Sequence, residues 1–384
     1  MSTIRRFGAL LLPLLVLSAG GCSKDVKIGA VISETGGVAP YGRQVKKGLE
    51  LALQEINAEG GFKGGTIELA FRDDAGNPAN GAAVVEDLIQ NEGIRIIIGA
   101  VSSPVTMNIA PICEKHRVLL LSPTSSAPEI TDAGEYIFRN YPSDVIEGTA
   151  MADFARKQGL RRVVIFALDH EFGKGLERVF SRRFESKSRM ILESFAIAED
   201  DPDSYGPMVE EVKELNPEGI YIAAYVDQMV ALLQLFHETG IDAVVMASSS
   251  VTEQLPALAG EAAEYLVYPL PSFDIESPDP AVSSFVKAYR AKYDEAPDIY
   301  AAHGYDALKL IWQSMVNTGF ARADEVKRGL HGLESYQGAA GRTAFDERGD
   351  VVRYPQLFVV HDGRSVPYEK FEQEGGELLG TGRS

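Results

Sequence analysis

Short apolar runs rich in β-branched residues alternate along this chain with longer segments whose apolar residues recur at helical spacing. The runs Val26–Ile32, Ile67–Arg72 and Ile94–Ile98 predict strands, and Gly42–Ala58 between the first two predicts an amphipathic helix. Strands joined through helices pair in parallel, because the helix returns the chain to the same end of the sheet. The alternation therefore predicts an α/β protein whose parallel sheets are covered by helices on both faces.

The alternation is interrupted near Tyr141–Asp144 and then starts again. After Pro142, strands and helices alternate once more as far as Tyr265–Val267. Two such runs of about 120 residues each predict two doubly wound parallel-sheet lobes, since one domain usually takes about 100–200 residues. A single eight-stranded barrel is the alternative, and the interruption disfavours it.

Three changes in the pattern predict three crossings between the lobes, near Pro142, Pro269–Ser272 and Gly338–Gly341. The segment Pro269–Pro280 is rich in proline and acidic residues and has no periodicity, which is typical of a connecting segment. The end of the chain is rich in glycine, and we expect it to fray. The predicted organisation is an N-terminal lobe of residues 22–141 plus 271–338, a C-terminal lobe of residues 142–270 plus 339–365, and a tail of residues 366–384.

The N-terminal segment has the features of an export signal. Arg5 and Arg6 precede an apolar run and several small residues that end at Cys22. The run is too short to span a membrane. We expect residues 1–21 to be a lipoprotein signal peptide, cleaved before Cys22, which is then acylated. The protein would be exported and held in the bacterial cell envelope, facing the periplasm, through this lipid anchor alone. A plain cleaved signal is the alternative.

Cys113 lies on the apolar face of a predicted helix and is expected in the core.

Charge and motif content exclude several classes of function. Asp and Glu number 55 against 37 Lys and Arg, a net charge of −18, so a nucleic-acid partner is not expected. The six histidines show no metal-ligand spacing, and no nucleophile elbow or phosphate loop is present. We therefore expect no metal, no cofactor and no enzymatic activity. An exported hydrolase with residues assembled from distant segments is the alternative.

Binding chemistry is expected where the predicted strands end, because ligands of open parallel sheets lie beyond the carboxyl ends of the strands. Ser103 precedes Pro104 and is predicted to cap a helix, whose free amides favour an anion. Short hydroxyl side chains follow the next strand, Thr124 and Ser126 among them. Further candidates at strand ends are the aromatic residues Tyr41, Phe172 and Tyr225 and the hydroxyl residue Ser249.

These segments closely resemble the branched-chain amino-acid-binding family of type I periplasmic binding proteins, the solute receptors of ABC importers. The resemblance extends from residue 26 to about residue 363. It rests on the order and spacing of several short motifs, namely Val26-Lys-Ile-Gly-Ala30, Tyr41-Gly42, Glu55-Ile-Asn-Ala-Glu-Gly-Gly61, Arg72-Asp-Asp-Ala75, Phe172-Gly-Lys-Gly175 and Phe345-Asp-Glu-Arg-Gly-Asp350.

The resemblance implies roles for the candidate residues. Ser103 would hold a ligand carboxylate, Thr124 would offer backbone groups, and Ser126 would offer its hydroxyl and amide. Tyr41 would pack on the ligand side chain, and Tyr225 would close from the second lobe.

Two positions depart from the family's pattern. Ser249 stands where the branched-chain members have a glutamate for the ligand ammonium, and Phe172 replaces a tyrosine. A buried ammonium without a carboxylate partner is costly. Another acid would then replace the glutamate, and the candidates are Asp144, Asp227 and Glu253.

The expected function is that of a monomeric, lipid-anchored receptor for an ABC importer. It would bind a small amino acid or a related polar solute between the lobes by hinge closure and deliver it to the permease and ATPase subunits. A receptor for an amide or for an organic or aromatic acid is one alternative, because Ser249 carries no negative charge. A sensor module that passes its ligand to a signalling partner is another.

Overall fold

The computed structural model describes residues 25–271 and 273–378. The predicted signal peptide and Cys22 lie outside these residues. The first part of the chain forms the following elements in order: β1 (Val26–Val31), α1 (Ala39–Ala58), β2 (Ile67–Arg72), α2 (Pro78–Gln90), β3 (Ile96–Gly99), α3 (Ser103–His116), β4 (Leu119–Ser122) and β5 (Ile137–Arg139).

The second part begins with a helix and again alternates. Its elements are α4 (Asp144–Lys157), β6 (Arg162–Leu168), α5 (Glu171–Phe184), β7 (Met190–Ile197), α6 (Tyr205–Leu215), β8 (Gly219–Ala223), α7 (Val226–Thr239), β9 (Val244–Ala247), α8 (Leu255–Ala259) and β10 (Val267–Pro271).

Three consecutive helices and a strand-rich end complete the chain. These elements are α9 (Pro280–Tyr293), α10 (Ile299–Thr318), α11 (Ala323–His331), β11 (Tyr336–Gly338), β12 (Gly341–Thr343), β13 (Pro355–His361), β14 (Arg364–Pro367) and α12 (Tyr368–Gln373).

The strands form two main sheets, one in each lobe, which confirms the predicted α/β fold with two lobes. The first sheet is parallel throughout, in the order β2-β1-β3-β4-β5. Its central strands β3 and β4 are buried along their whole length, which explains their uninterrupted apolar sequences. The second sheet has the order β14-β13-β10-β9-β8-β6-β7.

The end of the chain differs from the sequence-based expectation in three respects. β13 pairs antiparallel with both β10 and β14, so the second sheet is mixed rather than parallel. β12, within the segment 339–365 predicted for the C-terminal lobe, does not join this sheet but pairs with β11 in a separate two-stranded ribbon. Residues 366–373, predicted as part of a tail, complete β14 and form α12, which is held to the lobe by the buried side chains of Tyr368 and Phe371.

The helices α9, α10 and α11 return to the N-terminal lobe, so the chain crosses between lobes three times. α10 packs along α1, and this is the most extensive contact between any two elements. Glycines permit the close approach: a side chain at Gly48 would overlap the carbonyl oxygen of Ala301, and one at Gly304 would overlap that of Val45. The apolar face of α1 is thereby covered by α10, whose first residue lies 260 positions after the first residue of α1.

Buried polar groups fasten two of the crossings to α10. Asn140, in the first crossing, donates from Nδ2 to the carbonyl oxygen of His303 (3.0 Å). Asp306 accepts from the backbone amides of Ala339 and Ala340, in the third crossing, at 2.7 and 2.8 Å. Burial raises the pKa of Asp306 to about 7. The segments that must bend when the lobes move are therefore anchored to one rigid helix.

A fully buried arginine joins the end of the first sheet to the segment between β12 and β13. Arg139 pairs with Asp350 through two hydrogen bonds of 2.7 Å, from Nε and from Nη2. Its remaining donors reach the carbonyl oxygens of Ser126 and Ala127 and the hydroxyl of Thr131. The guanidinium group thus ties the loop after β4 to Asp350.

Two further observations concern the described residues as a whole. None of the helices within residues 25–271 and 273–378 is long and apolar enough to cross a membrane. Cys113 is free and fully buried on α3, which confirms its predicted place in the core.

Candidate functional site

The carboxyl ends of the parallel strands in both lobes face one small cavity, with a volume of about 30 Å³ available to the centre of a water molecule. The structure brings together at this cavity all seven residues singled out as ligand-binding candidates, which are Tyr41, Ser103, Thr124, Ser126, Phe172, Tyr225 and Ser249. The rest of its lining consists of Val38, Val101, Ser102, Tyr141, Ser250 and Tyr300. A volume this small means that the lobes are closed on each other.

The N-terminus of α3 forms one wall of the cavity. The helix begins at Ser103 with Ser102 at the N-cap, so the predicted capping position is wrong by one residue. The Ser103 hydroxyl oxygen accepts from the backbone amides of Ser126 and Ala127, at 3.2 and 3.1 Å, which leaves its own proton free to be donated. The buried Ser102 hydroxyl has no hydrogen-bond partner among the described residues. Two hydroxyl groups and a helix N-terminus therefore offer donors for an anion at this wall.

The loop after β4 is held rigidly against α3. Thr124 donates its hydroxyl to the carbonyl oxygen of Val101 at 2.7 Å. Arg139 binds the carbonyl oxygens of Ser126 and Ala127 at 2.9 and 2.8 Å. Because the hydroxyl proton of Thr124 is engaged in this way, Thr124 can offer a ligand its hydroxyl oxygen as an acceptor and its backbone groups, but no side-chain proton.

Aromatic side chains from both lobes form the opposite wall. Phe172 and Tyr225 stack with ring centroids 5.1 Å apart and an angle of 7° between the rings. Tyr41 packs edge-on against Tyr300, with centroids 4.9 Å apart, and lies 6.0 Å from Tyr225. Such a surface accommodates an apolar or aromatic group.

Hydrogen bonds across the cleft hold the lobes together. Tyr41, from the N-terminal lobe, donates to the carbonyl oxygen of Ser250 (2.7 Å) and accepts from the amide of Val226 (3.0 Å) in the other lobe. Tyr300 on α10 donates to the carbonyl oxygen of Ser249 at 2.9 Å. Burial raises the pKa of both phenols above their ordinary value, so they remain protonated donors at neutral pH.

The three candidate ammonium partners lie in different surroundings. Asp227 is exposed and lies beside Glu199 at a separate surface pocket. Glu253 lies next to Asp298 in another pocket, near the second crossing. Only Asp144 is close to the central cavity: it is fully buried, and its backbone amide donates to the carbonyl oxygen of Ser126 (2.8 Å).

A second buried acid, Glu147, escaped the sequence analysis. Its Oε1 accepts from the backbone amide of Ser249 at 2.8 Å, directly behind a residue of the cavity wall. Burial raises the pKa of Glu147 to about 7. Burial, and then the charge of Glu147, raise the pKa of Asp144 well above its ordinary value. The two residues are three apart in the first turn of α4, so they share one face of that helix.

The raised pKa of Glu147 predicts a specific pH dependence of stability. Its ordinary pKa is 4.5, so between about pH 4.5 and 7 the unfolded chain loses a proton that the folded protein keeps, and stability falls as pH rises. Glu147→Gln removes the titrating carboxyl group and with it this fall in stability. We expect the variant to gain stability over the parent across this interval, reaching roughly 3 kcal/mol above pH 7. Urea unfolding of both proteins at several pH values measures the difference, and a difference independent of pH would contradict the assignment.

Sequence reasoning also missed Tyr141, Tyr300 and Ser250. Tyr300 lies in a segment far along the chain from the other site residues, and no local pattern indicates that the start of α10 reaches the cleft. The available signal for Tyr141 is its place immediately before Pro142 at the first crossing, and Ser250 directly follows a predicted candidate. Glu147 could have been found from its spacing to Asp144.

One cluster of described residues outside the cleft could hold a metal ion. Ligand atoms of Glu264, His361 and Asp362 lie within 4.8 Å of one another. His361 Nδ1 is 3.0 Å from Glu264 Oε1, and Asp362 is exposed. The hydrogen bonds between Glu264 and this turn account for the arrangement without an ion.

Comparison with known proteins agrees with this geometry. The sequence profile described as "Periplasmic binding protein" matches residues 25–363. A leucine-, isoleucine-, valine-, threonine- and alanine-binding protein of Pseudomonas aeruginosa is 27% identical over 333 residues, which cover 86% of this chain and 88% of that protein. The crystal structure of a leucine-binding protein from Thermotoga maritima superposes with a TM-score of 0.83 at 26% identity, covering 89% of this chain and 97% of that one.

A third comparison concerns the fold alone. The solute-binding protein of an ABC transporter from R. palustris, solved in complex with benzoate, has a TM-score of 0.81 at 22% identity. The match covers 93% of this chain and 96% of that protein.

Two lobes closed over a small buried cavity, in a chain that matches the periplasmic binding protein profile along most of its length, define a solute-binding protein. The chain belongs to the periplasmic binding protein family and is a substrate-binding protein of an ABC transporter. Membership implies that it is exported to the periplasm and acts with permease and ATPase subunits on a small molecule.

Proposed function

We propose that this chain is the receptor for a small apolar amino acid. The observation that carries the proposal is that one cavity has hydrogen-bond donors for a carboxylate on one wall and stacked aromatic rings on the other. An amino acid with an apolar side chain presents both kinds of group. The Pseudomonas relative, whose name specifies aliphatic amino acids and threonine, supports this class of ligand.

In this proposal the ligand carboxylate binds at the N-terminus of α3. The free hydroxyl protons of Ser102 and Ser103 and the backbone groups around Thr124 and Ser126 surround that position. The ligand side chain packs on Tyr41, Phe172 and Tyr225. This division places the charged end in the N-terminal lobe and the apolar end between the lobes.

Closure of the hinge completes the proposed site. The bonds from Tyr41 and Tyr300 to the other lobe form only when the lobes meet. A ligand that contacts both lobes stabilises the closed form by its differential affinity for that form. The closed receptor would then be recognised by the permease. A monomer suffices for this cycle, and an acylated Cys22 would tether it to the membrane.

A receptor for an aromatic or other organic acid is the second candidate. It is favoured by Ser249, which brings no charge to the position of the family's glutamate, and by the stacked pair Phe172 and Tyr225. Such a ligand needs the carboxylate wall and the aromatic wall but no ammonium partner.

Thermal shift and isothermal titration calorimetry separate the two candidates. We expect L-leucine, L-isoleucine or L-valine to bind stoichiometrically, and a concentration 100 times the Kd to add about 2.7 kcal/mol of stability.

Ser103→Ala should weaken binding about tenfold or more, because a donor to a charged group is lost. Thr239→Ser, far from the cavity on α7, is the control. Binding of benzoate or a 2-oxo acid in preference to every amino acid would favour the second candidate.

A further inference from the structure

We propose that Asp144 and Glu147 together form the ammonium subsite of this receptor, in place of the family's glutamate, and that a ligand amine displaces a proton held by the pair. The inference rests on the proposed amino-acid ligand and specifies how its positive charge is bound. The pair of acids also determines specificity, because an analogue without an amine would leave the proton of the pair in place.

The position of Asp144 and Glu147 favours this role. The first turn of α4 lies between two loops of the cavity wall, one from each lobe. The amide of Asp144 donates to the carbonyl oxygen of Ser126 in the N-terminal lobe, and Glu147 Oε1 accepts from the amide of Ser249 in the C-terminal lobe. The carboxyl group of Glu147 therefore lies directly behind a residue of the cavity, and the backbone of Asp144 is held to another, at the boundary between the lobes.

Unpaired polar atoms at the pair also favour this role. Asp144 is fully buried, and neither of its carboxyl oxygens has a partner in hydrogen-bond geometry among the described residues, although the nearby Ser126 hydroxyl lowers the pKa of Asp144. The buried hydroxyl of Tyr221 also lacks a hydrogen-bond partner among the described residues. It is close enough to both acids for their charges to raise the pKa of Tyr221. Buried polar atoms are rarely left unpaired, so two unpaired carboxyl oxygens close to a binding cavity indicate a missing donor.

The charges around the pair leave it without a free cation of its own. Arg139 is the cation that acts on Asp144, but its guanidinium is already paired with Asp350 through two hydrogen bonds. The other titratable groups that act on the pair are Glu129 and the phenols of Tyr141, Tyr221, Tyr225 and Tyr300, which supply no positive charge. Two buried carboxylates in these surroundings require either a shared proton or an external cation.

The sign of the resulting pH dependence follows from this competition. The pair holds a proton when no ligand is bound, and an ammonium favours the ionised form of both acids. Binding therefore releases a proton to the solvent, and affinity for an amino acid rises with pH until the pair is ionised without ligand. Because burial raises the pKa of Glu147 to about 7, we expect the rise to lie between about pH 5 and 7.

Calorimetry with L-leucine and with the 2-oxo acid of the same side chain tests the proposal. For the unmodified protein at pH 6, titrations in two buffers of different ionisation enthalpy should show about one proton released per leucine and none per 2-oxo acid. Glu147→Gln and Asp144→Asn should each weaken leucine binding at least about tenfold, reduce proton release and leave 2-oxo acid binding unimpaired. Glu253→Gln and Asp227→Asn, outside the cavity, are the matched controls and should change affinity less than twofold.

The possible outcomes separate the inference from the function on which it rests. If leucine binds with no proton release and both variants retain its affinity, the subsite assignment is overturned while the amino-acid receptor stands. If only the 2-oxo acid binds, both are overturned. Proton release measured on the unmodified protein keeps the test decisive even if one of the variants fails to fold.

Discussion

Replacing Asp350 by alanine is expected to lower the free energy of unfolding by about 3–5 kcal/mol, because it leaves a buried guanidinium without its counter-charge. The Arg139 side chain is fully buried, and Asp350 accepts two of its hydrogen bonds at 2.7 Å. The Arg139 side chain has no surface exposed to water in the intact protein, so solvent does not already share its charge. Urea unfolding followed by circular dichroism measures the change.

An exposed ion pair provides the control. Glu372→Ala breaks the ion pair with Lys157, in which the Glu372 side chain is 45% exposed and the Lys157 side chain 64%. This change should lower the free energy of unfolding by less than about 1 kcal/mol. The double variant Arg139→Met with Asp350→Leu should regain much of the loss, since it removes both buried charges. Equal effects of Asp350→Ala and Glu372→Ala would show that the buried pair does not carry the stability assigned to it.

A leucine at Gly175 is expected to weaken ligand binding by about 10- to 100-fold without unfolding the protein. Gly175 on α5 faces Pro128 of the other lobe, and an added Cβ would lie 2.6 Å from Pro128 Cδ. The same interface carries the ion pair between Arg178 and Glu129. Overpacking would destabilise only the closed form, by about 1–3 kcal/mol. The population of the closed form and the affinity for ligand should therefore fall together.

Gly206→Leu is the matched control for this variant. Gly206 also lies in a helix of the C-terminal lobe, but a Cβ there meets nothing within 4 Å. Small-angle X-ray scattering should show Gly175→Leu to be more extended than Gly206→Leu, and calorimetry with L-leucine should show the loss of affinity. Unchanged scattering and unchanged affinity in Gly175→Leu would mean that the two surfaces need not meet for binding.

Much of the fold could be predicted because it depends on local patterns. The buried apolar runs of β1, β3 and β4 and the amphipathic α1 are evident in the sequence. The antiparallel pairing of β13 could not be predicted, since the partner of a strand is chosen by contacts far away in the chain. β5 has only three residues and shows no periodicity that could reveal it.

The candidate site was predictable to the extent that it follows strands. Ser103, Thr124 and Tyr225 lie just beyond strand ends, where parallel sheets collect their ligands. Tyr300 and Glu147 reach the site from the first turns of helices, and nothing local indicates which helix ends face the cleft. The same uncertainty placed Asp227 and Glu253 among the candidate acids, although the structure locates them in other pockets.

The packing of α10 against α1 also sets the order in which the protein can fold during its synthesis. The first residues of the two helices are 260 positions apart, so at about 5–20 residues per second a ribosome needs roughly 13–52 s between them. Throughout that time α1 exposes the apolar face that α10 later covers. The N-terminal lobe is made first but completed late, whereas most of the C-terminal lobe is available before α10 emerges. A nascent chain that stays unfinished in this way remains able to pass a membrane as an extended polypeptide.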